Sequence, residues 1–145
     1  ASYLRSAGAD GMMIQMFMKE NADSFMKRNH LISLAELNDS IAICAGEEEQ
    51  VYDPVTAAQA ADMLLQVNGI EASFVITKRA DGMVCISARS MGDVNVQLIM
   101  EKMGGGGHLA NAATQIKGKT IAEVKQTLID QLAKTEDDGN KESTE

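Results

Sequence analysis

The sequence predicts an α/β (α+β) domain in which one mixed sheet of about four or five strands is flanked by helices. Two stretches, Ile32–Ala45 and Ile70–Ser90, are apolar and β-branched with turn residues at their centres, Asn38-Asp39-Ser40 and Ala80-Asp81-Gly82. Each reads as a strand pair. Residues 55–67, 94–103 and 120–133 instead space their apolar side chains three and four apart, the period of a helix with one buried stripe. The chain's 145 residues, 45% of them hydrophobic, are enough for one soluble domain with its own core. With no tryptophan, three Phe and two Tyr, that core is left to aliphatic side chains and the ten methionines.

Taken in order, residues 1–10 have no sustained period, and Asp10 is an N-cap candidate for the apolar run that begins at Met12. Gly11 to Arg28 carries Met12, Met13, Met16, Phe17, Phe25 and Met26, interrupted by Asn21 and Asp23, and reads as one or two short helices. The first hairpin follows, then a charged loop at Glu47-Glu48-Glu49-Gln50, then Pro54 at the first turn of a helix. In that helix Ala58, Ala61, Met63, Leu64, Leu65 and Val67 alternate with Gln59, Asp62 and Gln66, and Asn68-Gly69 closes it. After the second hairpin, Met91-Gly92-Asp93 introduces a helix that sets Val94, Leu98, Ile99 and Met103 on one side and stops at four glycines. The last helix carries Ile121, Val124, Leu128, Ile129 and Leu132 as a stripe that should cover the sheet. Residues 134–145 are acidic, lack apolar anchors and are expected to be disordered.

Composition excludes several functions. Thirteen Lys and Arg against 21 Asp and Glu give a formal charge of −8, which argues against long duplex nucleic acid or anionic lipid as a partner. A small, locally held anion remains compatible. Cys44 and Cys85 lie in apolar runs without CxxC spacing and read as reduced, buried thiols of a cytoplasmic protein. DHH, DxD and HExxH motifs are also missing, and there are only two histidines, so no metal site and no cofactor is expected in this chain. No apolar stretch approaches the roughly 18 residues of a membrane span.

Two segments carry chemistry. Gly104-Gly105-Gly106-Gly107-His108 follows an amphipathic helix directly and precedes Leu109-Ala110-Asn111-Ala112-Ala113. Glycines admit positive φ and close approach of the backbone, so successive N–H groups can converge on one anion. If a helix starts near His108, its N-terminal dipole points at the same spot. A glycine run also serves as a flexible connection, and composition alone favours neither reading. The tight flanks and the terminal ionisable donor favour an anion loop, in which His108 is suited to position a phosphate oxygen or to donate to a leaving group, the positioning role being favoured. In the second segment, Ser87-Ala88-Arg89-Ser90, alternation puts Met83, Cys85, Ser87 and Arg89 on one face of a strand. Arginine offers a planar fork for phosphate and serine a neutral donor. An arginine at a strand end is otherwise usually a solvated charge, as Lys78-Arg79 is at its turn, while Lys27-Arg28-Asn29-His30 reads as the basic C-terminal end of a helix. Asn111 either caps a helix or reads a base edge.

Together, Ser87-Ala88-Arg89-Ser90, Asp93-Val94-Asn95-Val96-Gln97 and the Gly104–His108 run followed by Asn111-Ala112-Ala113 resemble the DHHA1 domain of the DHH phosphoesterase superfamily. Tyr3-Leu4-Arg5-Ser6, Gly8-Ala9-Asp10 and Glu71-Ala72-Ser73-Phe74-Val75-Ile76 add a resemblance to the C-terminal part of membrane-anchored cyclic-di-AMP phosphodiesterases of the GdpP type. The resemblance implies a linker from a preceding DHH domain at residues 1–10, a DHHA1-like substrate-binding domain at 11–133 and the acidic tail beyond. It implies a parent enzyme that hydrolyses cyclic-di-AMP to pApA with a Mn2+ pair in its DHH domain, anchored in the cell membrane with this domain on the cytoplasmic side. Substrate binding carries over to Ser87, Arg89, Ser90, Gly104, Gly105, Gly106, Gly107, His108 and Asn111. The partners implied are a cyclic or short linear dinucleotide and the DHH domain of the same chain. Alone, this chain is expected to hydrolyse nothing. Two other readings stay open: the DHHA1 part of a nanoRNase acting on short oligonucleotides, and a non-catalytic module for RNA binding or assembly. The apolar side of the Met12–Met18 segment is also of a kind that a second copy of the chain would cover.

Overall fold

A computed structural model describes residues 22–92 and 94–143, with side chains described as far as Thr135. Residues 22–33 form helix α1, so the earlier part of the predicted Gly11–Arg28 helical region lies outside the described residues. The strands are β1 (Ala35–Asn38), β2 (Ile41–Ala45), β3 (Ala72–Lys78), β4 (Val84–Ser90), β5 (Gly106–His108) and β6 (Asn111–Ile116). Helix α2 (Pro54–Leu65) connects β2 to β3, α3 (Val96–Lys102) connects β4 to β5, and α4 (Ile121–Ser143) follows β6. The strands make one sheet in the order β1-β2-β3-β4-β6-β5, antiparallel throughout except for the parallel β2–β3 pair.

A parallel pair needs a crossover long enough to return the chain to the same end of the sheet, and α2 supplies it. Asp53 caps its first turn by accepting the Val55 N–H at 2.7 Å, and Pro54 occupies the position where a missing N–H costs nothing. On this face Ala57, Ala60, Ala61 and Leu64 pack over Ala42, Cys44 and Val75, joined by Leu31 from α1. The opposite face, with Phe74, Ile76, Val84, Ile86, Ala88 and Ala112, is covered by Val96, Ile99 and Met100 of α3 and Ile121, Val124 and Leu128 of α4. The mixed sheet flanked by helices is as predicted, with six strands rather than four or five.

Three local expectations are corrected. Leu31-Ile32-Ser33 ends a helix instead of opening a strand, because Leu31 is fully buried and its carbonyl accepts the Leu34 N–H and the Cys44 thiol. No helix begins near His108. The chain there is a tight β5–β6 hairpin turning at Leu109-Ala110, in which Ala112 and Thr114 are buried while Asn111, Ala113 and Gln115 face outward. That alternation suits a strand with one covered face. Finally, α4 runs to Ser143, past the predicted boundary at residue 133 and through most of the segment expected to be disordered. Ala133-Lys134-Thr135 contains no helix breaker, and the Thr135 hydroxyl donates back to the Gln131 carbonyl.

Candidate functional site

The two sequence segments converge through the pairing of β4, β6 and β5. Arg89 on β4 lies opposite Asn111 on β6, and Asn111 lies opposite His108 on β5. Residues directly opposite in a sheet share a face and adjacent strands are about 4.8 Å apart, so Arg89, Asn111 and His108 form a row about 10 Å long. The next row on the same face is Ser87, Ala113 and Gly106. This is the α2 side of the sheet, but α2 rests on β3 and the flank of β4, leaving Asn111, Ala113 and His108 exposed. Hollows of about 330 Å³, along Gly104, Gly105, Ala113 and Gln115, and of about 490 Å³, beside Asp62, Leu65, Ile70 and Met91, flank this surface.

The row is rich in donors. The Arg89 guanidinium is mostly sheltered, its side chain 14% exposed; Nε donates to Asp62 Oδ1 at 2.9 Å and Nη1 to the Ala88 carbonyl at 2.9 Å. Nη2 has no hydrogen-bond partner among the described residues. Imidazole, carboxamide and the Ser87 hydroxyl complete a set suited to the oxygens of a phosphate and its sugar. Ser87 has no hydrogen-bonded base among the described residues, so nothing there activates its hydroxyl as a nucleophile.

The glycines divide by role. Gly104, at φ +88°, turns the chain out of α3. A Cβ at Gly105 would stand 2.1 Å from the Ala113 carbonyl oxygen, and one at Gly107 would stand 2.5 Å from the Ala112 Cα. Both glycines therefore let β5 and its approach lie against β6. Gly106 has open space where its side chain would be. Ser90 is not brought into the row. It belongs to the other face, is buried, and its hydroxyl accepts the Gly92 N–H. Asn111 opens β6, so it caps no helix.

Sequence reasoning missed Asp62, which it read only as one polar residue of an amphipathic helix. The other charged candidates are engaged elsewhere: His30 with Glu47 at 2.8 Å, Lys78 with Glu48 at 3.9 Å, and Arg79 with Asp81. Arg79 holds the Asp81 carboxyl below its usual range through that hydrogen bond. Burial pushes the Cys44 thiol up to about 12 and also raises Cys85. Among the described residues no three His, Cys, Asp or Glu side chains are grouped to hold a metal.

A family model described as the DHHA1 domain matches residues 38–134, from the end of β1 into α4. The chain belongs to the DHHA1 family. This DHHA1 chain is 54% identical over 130 residues to the cyclic-di-AMP phosphodiesterase PdeA of Listeria monocytogenes, a match covering 89% of the chain and 20% of that protein. It is 53% identical over 129 residues to the cyclic-di-AMP phosphodiesterase GdpP of Geobacillus thermodenitrificans, covering 88% of the chain and 20% of that protein. The chain thus spans about a fifth of the length of the curated relatives it matches. An exopolyphosphatase-related protein from Bacteroides fragilis has a similar fold at a TM-score of 0.63 and 18% identity, with 74% of this chain and 34% of that one covered. The resemblance read from the sequence, to the DHHA1 part of GdpP-type enzymes, is borne out.

Proposed function

We propose that this DHHA1 domain is the substrate-holding part of a phosphodiesterase that hydrolyses cyclic-di-AMP to pApA. The observation that carries the reading is the row of Arg89, Asn111 and His108 on one open face, beside relatives named for that activity. Arg89 and His108 take phosphate oxygens, Ser87 and Asn111 take sugar or base edges, and Gly106 leaves the surface flat enough for a ligand to lie against it. Ser90 serves the fold by fixing the turn after β4. In this reading the Mn2+ pair sits in a DHH domain of the same longer protein, and the dinucleotide is closed between the two domains. That protein is anchored in the cell membrane with this domain on the cytoplasmic side; among the described residues no helix is long and apolar enough to cross a membrane.

Titration of the isotopically labelled chain with pApA and with cyclic-di-AMP tests the reading. Saturable amide shifts are expected at Ser87, Arg89, Gly106, His108 and Asn111. Arg89→Ala should weaken binding by about tenfold or more, as expected for a charge-assisted hydrogen bond of about 1.5–3 kcal/mol. In the longer protein, Arg89→Ala and His108→Ala should each lower turnover of cyclic-di-AMP. Unchanged turnover in both variants would overturn the proposal. Faster turnover of pApA than of cyclic-di-AMP would move it to a nuclease of short linear oligonucleotides.

A further inference from the structure

We infer that Asp62 is a positioning residue for the phosphate-binding arginine: its carboxylate holds Nε of Arg89 so that Nη2 is presented to the ligand. The inference rests on the reading of Arg89 as a phosphate ligand. Its geometry begins with a tether. Ser73, on β3, is the direct register partner of Arg89, and its buried hydroxyl donates to the Ala61 carbonyl at 2.7 Å. This bond fixes the last turns of α2 over β3, and the next residue, Asp62, is thereby set above Arg89. Nε then donates to Asp62 Oδ1 at 2.9 Å while Nη1 donates to the Ala88 carbonyl at 2.9 Å. With Nε and Nη1 engaged, the planar guanidinium has one orientation, and Nη2 has no partner among the described residues.

An arginine side chain left alone samples many rotamers, and a ligand that must fix it loses affinity for that ordering. Asp62 does the ordering in advance. Its own side chain is 59% exposed, so water screens its charge more than that of a buried carboxylate, and its repulsion of a nearby phosphate is correspondingly small. Positioning therefore outweighs repulsion. The two effects separate chemically. Asparagine keeps an oxygen that accepts from Nε and drops the charge, whereas alanine removes both.

The test uses the 145-residue chain with pApA as the probe and four variants: Asp62→Ala, Asp62→Asn, Arg89→Ala, and Asp62→Ala with Arg89→Ala. Asp62→Ala should weaken binding about three- to fivefold, in keeping with a partly exposed ion pair, while Asp62→Asn stays within about twofold of the parent. In the Arg89→Ala background, Asp62→Ala should have no further effect. The Nε–Hε resonance of Arg89 should be dispersed in the parent and in Asp62→Asn, and collapse toward the free-arginine position in Asp62→Ala. A purely structural role for Asp62 would not produce that pattern. Binding by Asp62→Ala as tight as the parent or tighter, or the same loss with Arg89 absent, would overturn the inference while leaving Arg89 as a ligand. Parent-like binding by Arg89→Ala would overturn the phosphate reading itself, and this inference with it.

Discussion

Adjacent glycines of one motif are under different constraints. Alanine at Gly105 or Gly107 would drive a methyl group into the backbone of β6, and at Gly107 the φ of +140° adds strain. Backbone atoms yield less than flexible side chains, so each substitution should cost about 1–3 kcal/mol or more and lower the melting temperature. Gly106→Ala meets nothing within 4 Å and has no positive φ, so its stability should stay within about 0.5 kcal/mol of the parent. Its methyl group would nevertheless stand on the face proposed to hold ligand, and pApA binding should weaken. Thermal denaturation beside ligand titration checks both halves of this contrast. Cys44 gives a pH prediction. Its thiol ionises near 9.0 ordinarily and only at about 12 in the folded chain. Between these values the unfolded chain sheds a proton that the folded chain keeps, so Cys44 makes stability fall as pH rises through this window and contributes nothing to the pH slope below it. Urea unfolding at about pH 8 and about pH 10.5 should show that fall, and Cys44→Ala should make it smaller.

Elements that carry their own local signals were legible in the sequence; those made by distant pairing were not. Pro54 and Asn68-Gly69 bracket α2 closely, and Asp53→Ala at its N-cap should cost about 1 kcal/mol while leaving pApA affinity unchanged, because Asp62 lies at the other end of the helix. Equilibrium unfolding and titration test the two parts. Alternation alone placed Ser87 and Arg89 on one face of β4, and the structure keeps them there. It could not supply their neighbours. That Asn111 and His108 join the row depends on β6 and β5 pairing beside β4, and the alanines of Leu109–Ala113 favour a helix when read locally. Asp62, 27 residues from Arg89, looks in sequence like any solvated helix carboxylate. Ile32-Ser33 reads locally as the start of the following strand, although these residues end α1 behind the fully buried Leu31.

At the scale of the whole molecule, the charge of −8 and the confined donor row point the same way. A partner that spreads many phosphates over the surface meets net repulsion, whereas a dinucleotide delivers its few charges to one place. Duplex RNA at about 0.15 M salt should therefore leave the Arg89 and His108 resonances unmoved and should not compete with pApA. The Met12–Met18 segment, proposed from sequence as a surface for a second copy, lies outside the described residues, and sedimentation of the whole chain is the measurement that addresses it. The two margins of the sheet bear on a different kind of encounter. At one end stands β1, four residues long, with Glu36 held by Lys125 of α4 at 3.2 Å; at the other stands β5, three residues long and two of them glycine. Margins so brief expose few unpaired ladder groups and give an incoming strand little to zip onto. Concentrated, long-stored solutions of this protein should accordingly stay free of amyloid-type fibres even though six strands lie side by side within it.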